Sequence, residues 1–465
     1  MKNDGFIKVA AITSNVHLND IDSNVNDIVS KAKEANEMGA KIITFQELAL
    51  TGYSLQDMFA QSNTLEKAKE GLIEITNKTK DLDLLMVVSL PYSFKGKIYD
   101  TAAVISKGKI LGIATKKYLP NYNEFYDARY FTPSFDENEV TEIDGNLIPI
   151  GPKLLFHCRE IENLTIGIEI CEDLWTPDTP STHHTMNGAT LILNPSASNE
   201  MVGKENYRKS LICATSARLI CAYVYAGAGE GETSQDVVYS APLIIAENGN
   251  LLGEKNDFNN HIMVKDIDVD LLAFRRRQMT TYSYKQEKGY QTIDFSLTDS
   301  YSKSLDRIFV KSPYLDISSK NLEDNLNTIF NCQSHGLMKR IQATHCKTVV
   351  IGVSGGLDSA LALLVAYKAF KDLNKDVKDI IAISMPCFAT TARTRNNSKI
   401  LAETLGVTFK EIDISNTVKS HLKDIDHPLD LYDAAYENAQ ARARTYVLMD
   451  ESNYKSGIVI GTGDL

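Results

Sequence analysis

Over the first 270 residues short apolar runs alternate with amphipathic stretches. Runs at 7–14, 41–46, 84–90, 101–106, 164–170, 189–194 and 221–226 have the length and aliphatic content of strands. Between the first two, Val25, Ile28, Val29, Ala32 and Ala35 recur at helical spacing and predict a helix over 23–38, which Gly39 stops. Lys107-Gly108 and Asn248-Gly249 separate strand-like runs and predict hairpins. Strands joined both by crossovers and by hairpins require mixed sheets covered by helices. From 271 to 322 the periodicity weakens among polar and aromatic residues (Arg275, Arg276, Arg277, Tyr282, Tyr284, Tyr290), and the stretch reads as a connector. A helix over 326–343 then opens a second alternation. Its strands are at 380–385, 408–412 and 457–461, with helices at 396–405 and 432–449. Such βαβ order demands a parallel, doubly wound sheet with its ligand at the carboxyl ends of the strands. The expected division is therefore an α/β domain over 1–270, a connector over 271–322 and a second α/β domain over 323–465.

Composition changes this picture little. The 465 residues, 43% hydrophobic and 23% charged, suit a globular chain of two or three domains. A net charge of −11 argues against a nucleic-acid partner, and the Arg275-Arg276-Arg277 triplet is expected on a solvated or subunit-facing loop. The chain opens Met1-Lys2-Asn3-Asp4-Gly5 and runs straight into a strand. With no secretory h-region and no bilayer-spanning run, it is expected in the cytoplasm, away from membranes. Seven scattered cysteines without a C-x-x-C pair favour reduced thiols, one of which is free to be a nucleophile.

At 348–351 a β-branched run breaks into Ser354-Gly355-Gly356-Leu357-Asp358-Ser359 and then into a helix-forming Ala-Leu stretch. Adjacent glycines let backbone N–H groups approach a polyanion, and the helix start adds four free donors. Hydroxyls of Ser354 and Ser359 add neutral donors, and Asp358 makes sense beside phosphate if it holds a magnesium ion. No Walker lysine follows. The six residues resemble instead the loop of the ATP pyrophosphatases, which cleave ATP between its α and β phosphates and adenylate a substrate. A plain strand-to-helix turn would not need all six together.

Three strand ends in the first half carry reactive types: Glu47 after Phe45-Gln46, Lys116 before Lys117-Tyr118-Leu119, and Cys171 after Ile170. Each alone reads as solvated or packed. Together, in this order, they resemble the Glu-Lys-Cys pattern of the nitrilase superfamily, whose chemistry needs a thiolate nucleophile, a carboxylate base and a cation for the oxyanion. The resemblance implies Cys171 as nucleophile, Glu47 as base and Lys116, three residues before Leu119, rather than Lys117 as oxyanion partner. It further implies glutamine contacts from Tyr122, Ser198 and Lys204, with Tyr53 and Glu172 as weaker candidates. Glu124 and Asp127 compete for a second acidic position. The pair His183-His184 is expected to be solvated rather than metal-binding.

A nitrilase-like glutaminase ahead of an adenylating domain resembles the glutamine-dependent NAD synthetases. The resemblance extends through Ser384-Met385-Pro386, 394–398, 437–444 and Gly461-Thr462-Gly463-Asp464-Leu465. It implies an αββα sandwich followed by a doubly wound parallel-sheet domain of the adenine nucleotide α-hydrolase type. ATP and magnesium are implied, with deamido-NAD and L-glutamine as the other substrates, an internal ammonia tunnel and a homo-oligomer. By the same resemblance Asn438 contacts deamido-NAD and Thr462 contacts ATP. The family's synthetase domain continues past the position of Leu465, so the chain is expected to be a truncated form. Another enzyme reading is a carbon–nitrogen hydrolase with a vestigial nucleotide-binding domain. A non-enzyme reading is a nucleotide-binding regulator; an ATP-binding assay separates the first two.

Overall fold

A computed structural model describes residues 4–285, 287–298, 304–309, 321–388 and 392–462, with the backbone alone at 392–395. Two compact units divide the chain, Met1–Ile308 and Phe309–Leu465.

Among the described residues the first unit holds two sheets. The first runs in the order Ile262–Asp268, Phe6–Ile12, Ile42–Phe45, Leu85–Phe94, Lys97–Ser106, Lys109–Thr115, Asn146–Gly151, Glu139–Ile143. The second runs Asn250–Lys255, Leu243–Glu247, Ala222–Gly227, Leu191–Ser196, Thr165–Ile168, Leu154–Cys158, Gln291–Phe295. Both mix parallel and antiparallel neighbours. Side chains alternate across a strand, so Val9 and Ala11 join Phe156, Leu193 and Val224 in the core between the sheets. Ala10 and Ile12 point the other way, onto Val25, Ile28, Leu72 and Ile75 of helices Ile21–Glu37 and Ser62–Lys78. Helix Lys204–Leu219 covers the outer face of the second sheet through Ile212 and Leu219. The layers are αββα, as the nitrilase resemblance implies.

Local signals held where their chemistry is backbone-driven. Asp20 accepts the Ser23 N–H and caps Ile21–Glu37, and Gly39 follows at φ 88°. Lys107 and Gly108 at φ 46° and 74°, and Asn248 and Gly249 at φ 46° and 86°, make the two expected hairpin turns.

The stretch read as a connector behaves differently. Its first part belongs to helix Val269–Gln278, and Gln291–Phe295 pairs in parallel with Leu154–Cys158 at the edge of the second sheet. Both elements are short, and the strand presents only Ile293 and Phe295 to the core, so its period is faint in the sequence. The arginine triplet is no loop. Arg276 is buried and donates to the carbonyls of Ile220 at 3.0 Å and Ala189 at 2.7 Å. The Ile220 carbonyl, and that of Leu219, which accepts at 3.2 Å, are among those left open where helix Lys204–Leu219 ends. The histidine pair is not simply solvated either. His184 is buried between the Ile168 carbonyl and the Tyr290 hydroxyl, and burial lowers its pKa to about 4. His183 is half-buried against Asp178 and Glu287.

In the second unit four parallel strands run in the order Thr408–Glu411, Ile380–Ser384, Thr348–Gly352, Gly457–Ile460. Helices Leu357–Asp372 and Ala392–Leu405 connect the first three, and Ser415–Asp424 and Ala434–Tyr454 carry the chain back to the opposite edge. Strand order therefore reverses between Thr348–Gly352 and Gly457–Ile460, where a doubly wound sheet opens a crevice. Among the described residues no helix is long and apolar enough to cross a membrane.

Candidate active site

Glu47, Lys116 and Cys171 each lie just past the end of a strand, on loops that converge at one end of the sandwich. Glu47 follows Ile42–Phe45, and its N–H reaches the Ser196 carbonyl of the other sheet at 3.3 Å. Lys116 follows Lys109–Thr115 and is 1% exposed. Its Nζ donates to Glu47 Oε1 at 2.5 Å, Asp127 Oδ2 at 2.7 Å and Asp100 Oδ2 at 3.2 Å. The three carboxylates alone have the spacing of a metal site, but the ammonium already bonds to all of them. Burial opposes its charge, Asp127, Glu47 and Asp100 outweigh that, and the Lys116 pKa stands well above its ordinary value. Lys117 is half-exposed and its Nζ is 3.9 Å from Asp178, so Lys116 is the lysine that meets Glu47.

Cys171 has φ 47°, a left-handed conformation unusual for a side chain with a Cβ. Its backbone is pinned from both sides. Asn194 Oδ1 accepts the Cys171 N–H at 3.2 Å, and Asp173 Oδ2 accepts the Ile170 N–H at 2.9 Å. Behind Asn194, its Nδ2 donates to the Tyr223 hydroxyl at 2.8 Å, which donates to the buried Glu169 at 2.5 Å. The other Asp173 oxygen accepts the N–H groups of Lys117 and Tyr118 at 3.2 and 2.9 Å. One carboxylate thus ties the lysine loop to the nucleophile loop. Burial, and then Glu47, push the Cys171 thiol well above its ordinary pKa, against Lys116 and Ser196. The thiol is protonated at rest and needs a base, and Glu47 Oε2 is buried without a hydrogen-bond partner among the described residues.

Beside the thiol a cavity of about 370 Å³ is lined by Tyr122, Glu172, Ser198 and Lys204 together with Cys171. The Tyr122 hydroxyl donates to Glu172 at 2.8 and 3.0 Å. Lys204 bonds Asn199 and lies 5.4 and 5.7 Å from the Trp175 and Phe125 ring centres. Four of the five expected glutamine contacts therefore share one cavity. Tyr53 does not: its hydroxyl donates to Asp127 Oδ1 at 2.6 Å, in a neighbouring pocket. Of the two competing acids, Asp127 meets Lys116, while Glu124 accepts from Asn199 at 2.5 Å. Asp100, Asp173 and Asn194 escaped the sequence reading. The available signal was a lone charge or amide inside an apolar strand, as with Asp100 in Ile98-Tyr99-Asp100-Thr101-Ala102.

In the second unit Gly355 sits at φ 81°, and helix Leu357–Asp372 begins directly after Gly356. Ser359 Oγ accepts the Ser354 N–H and donates to the Gly356 carbonyl, at 3.3 and 3.1 Å, closing the loop on itself. Leu357 and Asp358 are exposed. A cavity of about 610 Å³ opens at the strand-order reversal, lined by Gly352, Ser354, Ser384, Arg444 and Thr462. Asn438 is exposed on helix Ala434–Tyr454, outside that lining. Gly463, Asp464 and Leu465, the end of the segment that carries the family resemblance, lie outside the described residues.

The carbon-nitrogen hydrolase family model matches residues 8–277 and the NAD synthase model residues 329–465. A glutamine-dependent NAD(+) synthetase of Mycobacterium bovis is 37% identical, over 99% of this chain and 70% of that protein. The chain belongs to the glutamine-dependent NAD(+) synthetases. Another member, from Aquifex aeolicus, is 26% identical over 97% of this chain and 73% of its own length. A solved glutamine-dependent NAD(+) synthetase from Cytophaga hutchinsonii, 22% identical, covers 99% of this chain and 75% of that one with a TM-score of 0.51, and has the same fold. Both chemistries of the family name thus have a matching half: the thiol cavity falls within 8–277 and the glycine loop within 329–465.

Proposed function

We propose that this chain hydrolyses glutamine at Cys171 and uses the ammonia to amidate deamido-NAD to NAD with ATP. The observation that carries the first half is the 2.5 Å contact of Glu47 with Lys116, whose charges both act on the Cys171 thiol beside its cavity. Glu47 takes the thiol proton as sulfur attacks the amide carbon, and Lys116 stabilises the oxyanion. The same proton leaves with ammonia, giving a thioester. Glu47 then removes a proton from water, which displaces the thiol as glutamate departs. Tyr122, Glu172, Ser198 and Lys204 supply both signs of charge and hydroxyls for the amino-acid end of glutamine, and Tyr53 acts through Asp127.

At the second site ATP lies across Ser354, Gly355, Gly356, Leu357, Asp358, Ser359 and Thr462. The nicotinate carboxylate of deamido-NAD, oriented from Asn438, displaces pyrophosphate from the α-phosphorus, and ammonia then displaces AMP. Asp358 and Ser354, both exposed, lie beside the buried Ser359 hydroxyl, and this all-oxygen donor set suits magnesium, a hard cation that keeps waters and takes phosphate oxygens. When bound there, magnesium neutralises the pyrophosphate charge. A cytoplasmic homo-oligomer is the expected setting.

Cys171→Ala should abolish glutamine hydrolysis. A glutamine-directed electrophile followed by peptide mass spectrometry should label Cys171 alone. Labelling at Cys213 or Cys221, or hydrolysis surviving the substitution, would remove the assignment.

A further inference from the structure

The reaction above gives Asp100 no part, yet it is the third carboxylate on Lys116. It lies in strand Lys97–Ser106, 1% exposed, and its backbone carbonyl also accepts the Lys116 N–H at 3.0 Å. Glu47 and Asp127 take the two shorter bonds from Nζ, at 2.5 and 2.7 Å, and Asp100 the longest, at 3.2 Å. With all three ionised, one ammonium would face three anions whose oxygens lie within 4.8 Å of one another. The other groups around them are Cys171, Tyr53, Tyr239, Glu172 and Asp173, none a cation. Lys204, farther out beside Cys171, bonds Asn199. Carboxylates this close in a dry site do not all ionise. Asp100 Oδ1 is moreover buried with no hydrogen-bond partner among the described residues, a poor place for an ionised oxygen.

We propose that Asp100 is a positioning residue that works as a neutral carboxylic acid, steadying Lys116 through Oδ2 while leaving the ammonium's charge to Glu47, Asp127 and the reacting oxyanion. Burial pushes its carboxyl well above the usual range. Lys116 opposes this, and the nearby charges of Glu47 and Asp127 reinforce it. The site then carries one excess negative charge instead of two, and the thiol proton reaches Glu47 without a third anion beside it.

The proposal rests on the roles given to Glu47, Lys116 and Cys171, and its test separates the two. Asp100→Ala should lower kcat for glutamine hydrolysis about tenfold with KM little moved, and Asp100→Asn, also neutral and nearly the same shape, should restore most of that loss. The acid limb of the pH profile should coincide in the Asn variant and the unsubstituted chain. Independently of turnover, infrared spectra of the unsubstituted chain with 13C-labelled aspartate should show a protonated carboxylic acid at about pH 9, where Asp173, with its pKa of about 7, is ionised, and that band should vanish in Asp100→Asn. An Asn variant as impaired as the Ala variant, a displaced acid limb, or no such band would overturn the proposal. Glutamine hydrolysis surviving Cys171→Ala would instead overturn the site assignment, leaving the infrared result intact.

Discussion

Asp173 shows how much one buried carboxylate arranges. Its three bonds all go to backbone N–H groups, two on the lysine loop and one on the nucleophile loop. Asp173→Asn would replace one acceptor oxygen by an NH2 group facing N–H donors, at a cost of about 1–3 kcal/mol. The expected outcome is a kcat for glutamine hydrolysis lowered about tenfold with a smaller change in KM, because the lysine and thiol drift from their reacting geometry. Steady-state kinetics check it, and a purely raised KM would count against it. Burial raises the Asp173 pKa from 3.8 to about 7, against the Ile170 and Tyr118 N–H groups. The folded chain therefore holds a proton there that the unfolded chain has released. The stability this gives is complete below pH 3.8 and is lost as pH rises through about 7. Thermal midpoints of the Asn variant should accordingly vary less between about pH 5 and pH 7 than those of the unsubstituted chain.

At the scale of elements, the nucleotide loop is a strand, a left-handed glycine and a helix start, and each part follows from residue type. Valine and isoleucine fill 349–351, Gly355 takes φ 81°, and the Ala-Leu run after Ser359 carries the helix. Gly355→Ala forces a Cβ into that conformation, a strain of roughly 1–2 kcal/mol. Relaxing it would turn the loop N–H groups away from a phosphate bound there as proposed. ATP affinity, measured by titration calorimetry, should fall about tenfold or more, and an unchanged affinity would show that the loop does not hold the nucleotide. Hairpin turns, the helix stop at Gly39 and this loop were legible because their determinants are contiguous. The strand Gln291–Phe295 was not, because at the edge of its sheet it buries too few residues to print a period, nor was the helix Val269–Gln278, because its buried face includes Arg276 while Phe274 is exposed.

For the whole molecule, each unit closes its own hydrophobic core. Denaturant unfolding should then proceed in two transitions. ATP with magnesium at about 100 times its Kd should raise the one that belongs to the second unit by about 2.7 kcal/mol and leave the other in place. A single transition shifted as a unit would contradict this. The sequence by itself determined the α/β class, the αββα layering through its family resemblance, the glycine loop and the three strand-end residues Glu47, Lys116 and Cys171. The class and the loop depend on local period and on contiguous residues, and the layering and the three strand-end residues on the family resemblance. Only the tertiary structure decided that Asp127 rather than Glu124 meets Lys116. It also brought Asp100 to the same ammonium, set Asp173 between two loops and buried Arg276 against a helix end. Residues 47, 100, 116 and 127 become neighbours through the pairing of strands and the course of the loops beyond them, and the spacing along the chain does not encode which side chains those bring together.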